Sequence, residues 1–172
     1  MGDTMRYSGI VRNDLAAAPG ISVTFFTQGC PHRCFGCHNP ETWDFNGGKE
    51  FTPQVLEEIY EALHANKIAR SFCIMGGEPL CDENLFLTLL VLKEVKQHFP
   101  QIKIYLWTGY YYEELKQRTS AHLEQILSLV DVLIDGPYEE SKRDITLSMR
   151  GSSNQSIIDL KEKRDAERKS KF

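Results

Sequence analysis

The chain has 172 residues, 41% hydrophobic and 26% charged, with a formal net charge of −4. That balance belongs to an ordinary globular domain large enough to bury a core, and without a long basic run before the tail it excludes nucleic-acid binding through a broad electrostatic footprint. The opening Met1-Gly2-Asp3-Thr4-Met5-Arg6 lacks the apolar core of a signal peptide, and the longest apolar run, Leu85 to Leu92, is too short to span a bilayer, which points to the cytoplasm and no membrane.

In chain order, Met5 to Val11 reads as a short strand and Ala16 to Gly20 as a connection. Ile21 to Phe26, β-branched and aromatic, is a second strand. A loop with three cysteines follows and extends through Asn39 to Gly48. Thr52-Pro53 starts a helix whose Val55, Leu56, Ile59, Tyr60 and Leu63 form one buried stripe. Ser71 to Met75 is a strand ended by Gly76-Gly77-Glu78-Pro79, and Asn84 to Phe99 a helix with Leu85, Leu89 and Leu92 on one side. Lys103 to Trp107 is a strand ended by Thr108-Gly109, and Tyr112 to Leu129 is helical with a break near Thr119-Ser120. Asp131 to Ile134 is a strand ended by Asp135-Gly136-Pro137, and Ile157-Ile158 adds a last short one.

Strand, loop and helix thus alternate at roughly 25 to 40 residues, the pattern of βαβ units with a parallel sheet. A full barrel of eight units needs about 250 residues, so the expected fold is α/β, an open partial (βα) barrel with a mainly parallel sheet. Residues 1–158 are expected to form one domain and 159–172 a charged C-terminal tail that frays or is disordered from Lys161 onward.

The unusual stretches all follow strands, and in parallel sheets that edge is where ligands bind. The first is Cys30-Pro31-His32-Arg33-Cys34-Phe35-Gly36-Cys37, where Pro31 and Gly36 keep the segment out of regular structure so that three thiols can curl around one centre. The five cysteines are an odd number, and clustered thiols in a reducing compartment are more often metal-binding or catalytic than disulfide-bonded. Three sulfurs leave one coordination position open, which favours chemistry over scaffolding. The competing reading is a structural zinc module on Cys30, Cys34, Cys37 and His32 or His38, although His38 is adjacent to Cys37 and neighbours seldom both reach one tetrahedral ion. Cys73 reads as a small buried hydrophobe and Cys81 as a loop thiol; His64, His98 and His122 read as exposed helix-surface residues. Glycines 76 and 77 let backbone approach a ligand and Pro79 fixes the exit. Glu78 is a catalytic carboxylate or part of that cradle, Asp135 a strand-end cap or a ligand contact.

Taken together these motifs resemble the radical S-adenosylmethionine (radical SAM) enzymes, and within them the activating proteins of anaerobic (class III) ribonucleotide reductase. The resemblance is carried by the Cys-x3-Cys-x2-Cys spacing, Gly76 to Pro79, Gly36 to Trp43, Trp107-Thr108-Gly109-Tyr110, Asp135-Gly136 and Arg150 to Gln155, in order over most of the chain. It implies one 4Fe-4S cluster on Cys30, Cys34 and Cys37, with SAM chelating the fourth iron. It also implies cofactor contacts at Gly36, Cys37, His38, Gly76, Gly77, Glu78, Pro79, Thr108 and Asp135, and no catalytic acid or base, because the cofactor carries the chemistry. Gly36 stands where many radical SAM members carry an aromatic residue, so adenine packing must come from backbone or neighbours such as His38. The implied activity is reductive cleavage of SAM and formation of a glycyl radical on the reductase catalytic subunit, with a small electron donor such as a flavodoxin. The alternatives are an activase of another glycyl-radical enzyme and the zinc module.

Overall fold

A computed structural model describes residues 4–172; Met1, Gly2 and Asp3, on which part of the signal-peptide reading rests, lie outside the described residues. The strands are β1 (Arg6–Asp14), β2 (Ser22–Thr27), β3 (Lys49–Glu50), β4 (Ser71–Gly76), β5 (Ile104–Trp107), β6 (Val132–Asp135) and β7 (Ser156–Asp159). The helices are α1 (Pro53–His64), α2 (Asp82–His98), α3 (Tyr112–Gln117), α4 (Ala121–Leu129) and α5 (Leu160–Ser170). The strands form one sheet in the order β3-β1-β2-β4-β5-β6-β7, in which β2, β4, β5 and β6 run parallel and the outer strands pair antiparallel.

Alternation along each strand divides the sheet's two faces. Val23 and Phe25 of β2, Phe72 and Ile74 of β4, Ile104 and Leu106 of β5 and Leu133 of β6 share one core with the buried sides of α1, α2 and α4. Burying each such side chain stabilises the fold by about 1.5–3 kcal/mol. The opposite face carries a smaller cluster of Ala17, Ala18, Cys73, Tyr105, Val132 and Ile134, continued by Met75 and Trp107 toward the strand ends. Cys73 is buried in that cluster as expected.

Several boundaries move for local reasons. α2 begins at Asp82 rather than Asn84, with Asp82 and Glu83 in its first turn, where acidic groups complement the positive end of the helix dipole. It is also buried more widely than on one side, at Leu85, Leu87, Thr88, Leu89, Val91, Leu92 and Val95. The break before α4 lies at residues 118–120, where the Ser120 hydroxyl accepts from Leu123 N. The segment expected to fray is instead α5: Asp159 caps it by accepting from Glu162 N, Leu160 is buried, and Arg164 donates to the carbonyls of Leu127 and Val130. A local cap, one buried side chain and one long-range arginine thus order a helix whose other residues are largely solvated.

Candidate functional site

The parallel strands end together, with Thr27 level with Gly76 and Trp107 level with Ile134, and the loops leaving them meet above that edge. The first loop is folded back on itself. Gly29 N donates to Thr42 O at 2.7 Å and Cys30 N to Trp43 O at 3.2 Å, so the returning segment 39–43 pins the first cysteine. Gln28 Nε2 adds bonds to the carbonyls of Glu41 and Asp44, and Gly29 makes room for the Phe45 ring, which would overlap any side chain there. Left-handed backbone at Arg33 and Gly36 bends the chain between the cysteines, and Cys37 N closes a turn on Cys34 O at 3.1 Å.

All three thiols are free and half-buried. Burial pushes the Cys30 thiol up to about 11 and raises Cys34, while backbone N–H groups of His32 and Arg33 at Cys30, and of Tyr138 at Cys34, act in the opposite direction. Asn39 N also points at Cys37 Sγ, 3.4 Å away. Such N–H groups favour thiolates, the form that binds metal.

Glu78 ties the loops together. The residue is fully buried, and both carboxylate oxygens are in use: Oε1 accepts from Leu80 N (2.9 Å) and Thr108 Oγ1 (2.7 Å), while Oε2 accepts from Gly109 N (2.7 Å) and lies 2.7 Å from His32 Nε2. One carboxylate therefore joins the cysteine loop, the β4 exit and the β5 exit. Gly77 N and Glu78 N donate to Thr27 O and Gly29 O, an approach so close that a Cβ on Gly77 would lie 2.4 Å from Gly29 O. Gly109 likewise leaves space for the His32 ring, which packs edge-on to Tyr110.

These loops enclose a cleft of about 210 Å³. Of the residues read from the sequence, Cys30, Cys34, Cys37, His38, Gly76, Gly77, Glu78 and Thr108 line it. Gly36 and Pro79 adjoin it without lining it, and the Asp135 carboxylate is turned to the backbone, accepting from Tyr112 N and Ser156 N. His32, Asn39, Trp107 and Gln155, which the sequence offered only as a zinc-ligand alternative or within a family motif, also line it, together with Met75 and Tyr138, which the sequence did not single out. Met75 and Trp107 were detectable, since each ends a strand beside a motif; Tyr138 had no signal of its own.

The three thiols fit an iron–sulfur cluster, which takes one thiolate per iron and so spreads its ligands. They suit a single ion less well: among the described residues, no three His, Cys, Asp or Glu side chains are gathered closely enough to hold one.

A family model described as a 4Fe-4S single cluster domain matches residues 16–158, so the chain is an iron–sulfur domain protein of that class. Similar proteins narrow the class. It is 38% identical over 154 residues to the anaerobic ribonucleoside-triphosphate reductase-activating protein of Pasteurella multocida, covering 89% of this chain and 96% of the relative. The protein of the same name from Escherichia coli K12 is 34% identical over 158 residues (91% and 100%), and that of Enterobacteria phage T4 is 37% identical over 153 (89% and 93%). The chain belongs to the family of anaerobic ribonucleoside-triphosphate reductase-activating proteins.

Proposed function

We propose that this chain is a radical SAM activase that generates a glycyl radical on the catalytic subunit of an anaerobic ribonucleotide reductase. The observation that carries the reading is the shared cleft: three thiols on one loop face the Gly76-Gly77 turn across the C-terminal edge of four parallel strands. When bound, a 4Fe-4S cluster would supply the electron for reductive cleavage of SAM, the chemistry that would generate the radical on the reductase glycine. The chain's own part is to bind and orient. Cys30, Cys34 and Cys37 would hold the cluster, three thiolates that leave a position open for SAM. The backbone of Gly76 to Pro79 holds the methionine end, with Glu78 and Thr108 fixing that turn from within. His38 flanks the adenine end, Gly36 shapes the loop before it, and Asp135 holds the β6 exit in place.

The sheet is read as an open partial barrel of the radical SAM type, its small inward face running up to the cleft. A barrel open at its side leaves the radical exposed to water unless the reductase covers it, which makes a large protein partner the natural complement. The electron donor is a small reducing protein such as a flavodoxin. No helix among the described residues is long and apolar enough to cross a membrane, and the site of action is the cytoplasm.

The test is anaerobic reconstitution with iron and sulfide, followed by SAM and a strong reductant. The expected products are a brown protein with about four irons per chain and 5'-deoxyadenosine. With the reductase added, a glycyl radical doublet should appear by electron paramagnetic resonance and vanish when the target glycine is alanine. Colourless protein holding one zinc, with no 5'-deoxyadenosine, would overturn the reading; a doublet with a different glycyl-radical enzyme alone would overturn the partner.

A further inference from the structure

The segment Arg150 to Gln155 carries no role in the reading above, yet three of its side chains bond the loop leaving β6. Asn154 Nδ2 donates to Pro137 O at 2.7 Å, Gln155 Nε2 donates to Gly136 O at 3.1 Å, and Ser152 Oγ accepts from Glu139 N at 3.1 Å. Gln155 Oε1 meanwhile accepts from Gly151 N and Ser152 N, so the clamp is itself folded rigidly. Ser153 N adds a bond to Lys142 O, and Asp144 N one to Gly151 O. Three side chains therefore fix the backbone at 136, 137 and 139, on both sides of one residue, Tyr138.

Tyr138 is where this order is delivered. Its backbone N–H faces the Cys34 sulfur and its ring lines the cleft. The ring is bracketed at opposite edges by glycines: a Cβ on Gly36 would lie 3.3 Å from Cε1, and one on Gly151 3.0 to 3.1 Å from Cδ2 and Cε2. Its hydroxyl donates to the Glu140 carboxylate. The His38 ring stands 5.2 Å away at 51°, so the two rings make an aromatic corner beside the third cysteine. The cleft lining thus combines aromatic rings, Tyr138 and His38 among them, with the glycine backbone of Gly76 and Gly77, a combination that suits a ligand with a planar heterocycle and a small polar head.

We propose that Tyr138 is the stacking platform for the purine base of SAM, and that Asn154, which does not itself line the cleft, is a positioning residue acting through it. The inference rests on the SAM reading above. Stacking of a base on an aromatic side chain is worth about 5- to 150-fold in affinity. Tyr138→Leu keeps an apolar body between the two glycines and removes the π face, and Tyr138→Phe keeps the face and removes the hydroxyl.

The test uses cluster-reconstituted protein and measures SAM affinity by calorimetry and by the change SAM makes in the signal of the reduced cluster, with methionine alone as the ligand that has no base. The expected result is a loss within that range for SAM with Tyr138→Leu, less than about threefold with Tyr138→Phe, and unchanged iron content and methionine response in both. Asn154→Ala should weaken SAM binding in the wild-type background and add nothing in the Tyr138→Leu background, a coupling that a general loosening of the fold would not produce. If the wild type binds SAM and Tyr138→Leu binds it equally well, or loses methionine response in parallel, the platform is refuted while the activase reading stands. If the wild type itself binds no SAM, the activase reading fails and takes this inference with it.

Discussion

Replacing Glu78 by glutamine keeps the size of the side chain but removes half of what its four partners need. The carboxylate accepts at both oxygens, whereas a carboxamide accepts at one and donates at the other. Two of the partners adapt: the Thr108 hydroxyl can rotate to accept, and His32 can present its other tautomer. The backbone N–H groups of Leu80 and Gly109 cannot, and they bond opposite oxygens. Whichever way the amide turns, one of them is left facing an NH2 group. Losing one hydrogen bond to a charged acceptor and weakening the others should cost about 2–4 kcal/mol, or roughly 4–16 °C in Tm for a chain of this length. Glu78→Ala strands all four donors and should cost more. The assay is urea and thermal denaturation of the cluster-free protein, followed by the bleaching rate of the reconstituted cluster, which should rise in Glu78→Ala because His32 then loses its anchor to the β4 exit. A Glu78→Gln midpoint matching the wild type, or Glu78→Ala no worse than Glu78→Gln, would refute the hub.

Other expectations follow from single distances and environments. Serine at Cys30, Cys34 or Cys37 should abolish bound iron, because a hydroxyl is a poor soft-metal ligand. Cys73→Ser should retain the cluster, since Ser22, Thr24 and Ser71 stand ready to bond a hydroxyl there. Cys81→Ser should retain it too, because Cys81 Sγ is already turned to Glu78 O at 3.2 Å; loss of iron in that variant would break the open-iron model. Gly77→Ala should fail to accumulate as folded protein, its Cβ lying 2.4 Å from a backbone oxygen, whereas Gly9→Ala meets nothing within 4 Å and should be neutral by circular dichroism and melting. In the cluster-free protein, burial raises the thiols of Cys30 and Cys73 to about 11, so their contribution to stability is intact below the ordinary thiol value of 9.0 and is lost as the pH rises through about 11. The urea midpoint should therefore fall across that window, less steeply for Cys73→Ser, and a flat profile would contradict the assignment.

What the sequence makes legible here is local. The period of apolar residues marks β2, β4, β5 and β6 and the helices between them, because each pattern is written within about a dozen neighbours. The glycine-rich exits are equally readable, since a residue that must pass close to other backbone, such as Gly77 against Gly29, admits no side chain. The direction of β1 and β7 is not written in their residues; it depends on which edge of the sheet the chain returns to. Neither is the helix at the C-terminus, whose polar composition reads as a tail until Arg164 meets two carbonyls more than thirty residues earlier in the chain.

The same distinction decides what a motif can say about chemistry. Glu78 and Asp135 both follow strands and both are acidic, so sequence alone leaves each as a ligand contact or a structural group. Their partners resolve the roles of the side chains: Asp135 caps two backbone N–H groups, and Glu78 spends both oxygens within the protein. With those carboxylates engaged internally, the cleft presents beside the three thiols glycine backbone, the rings of Trp107 and Tyr138, and the side chains of His38, Asn39 and Gln155. A site so built has the thiols and the close-set backbone to hold and orient a cofactor, which would itself carry the chemistry.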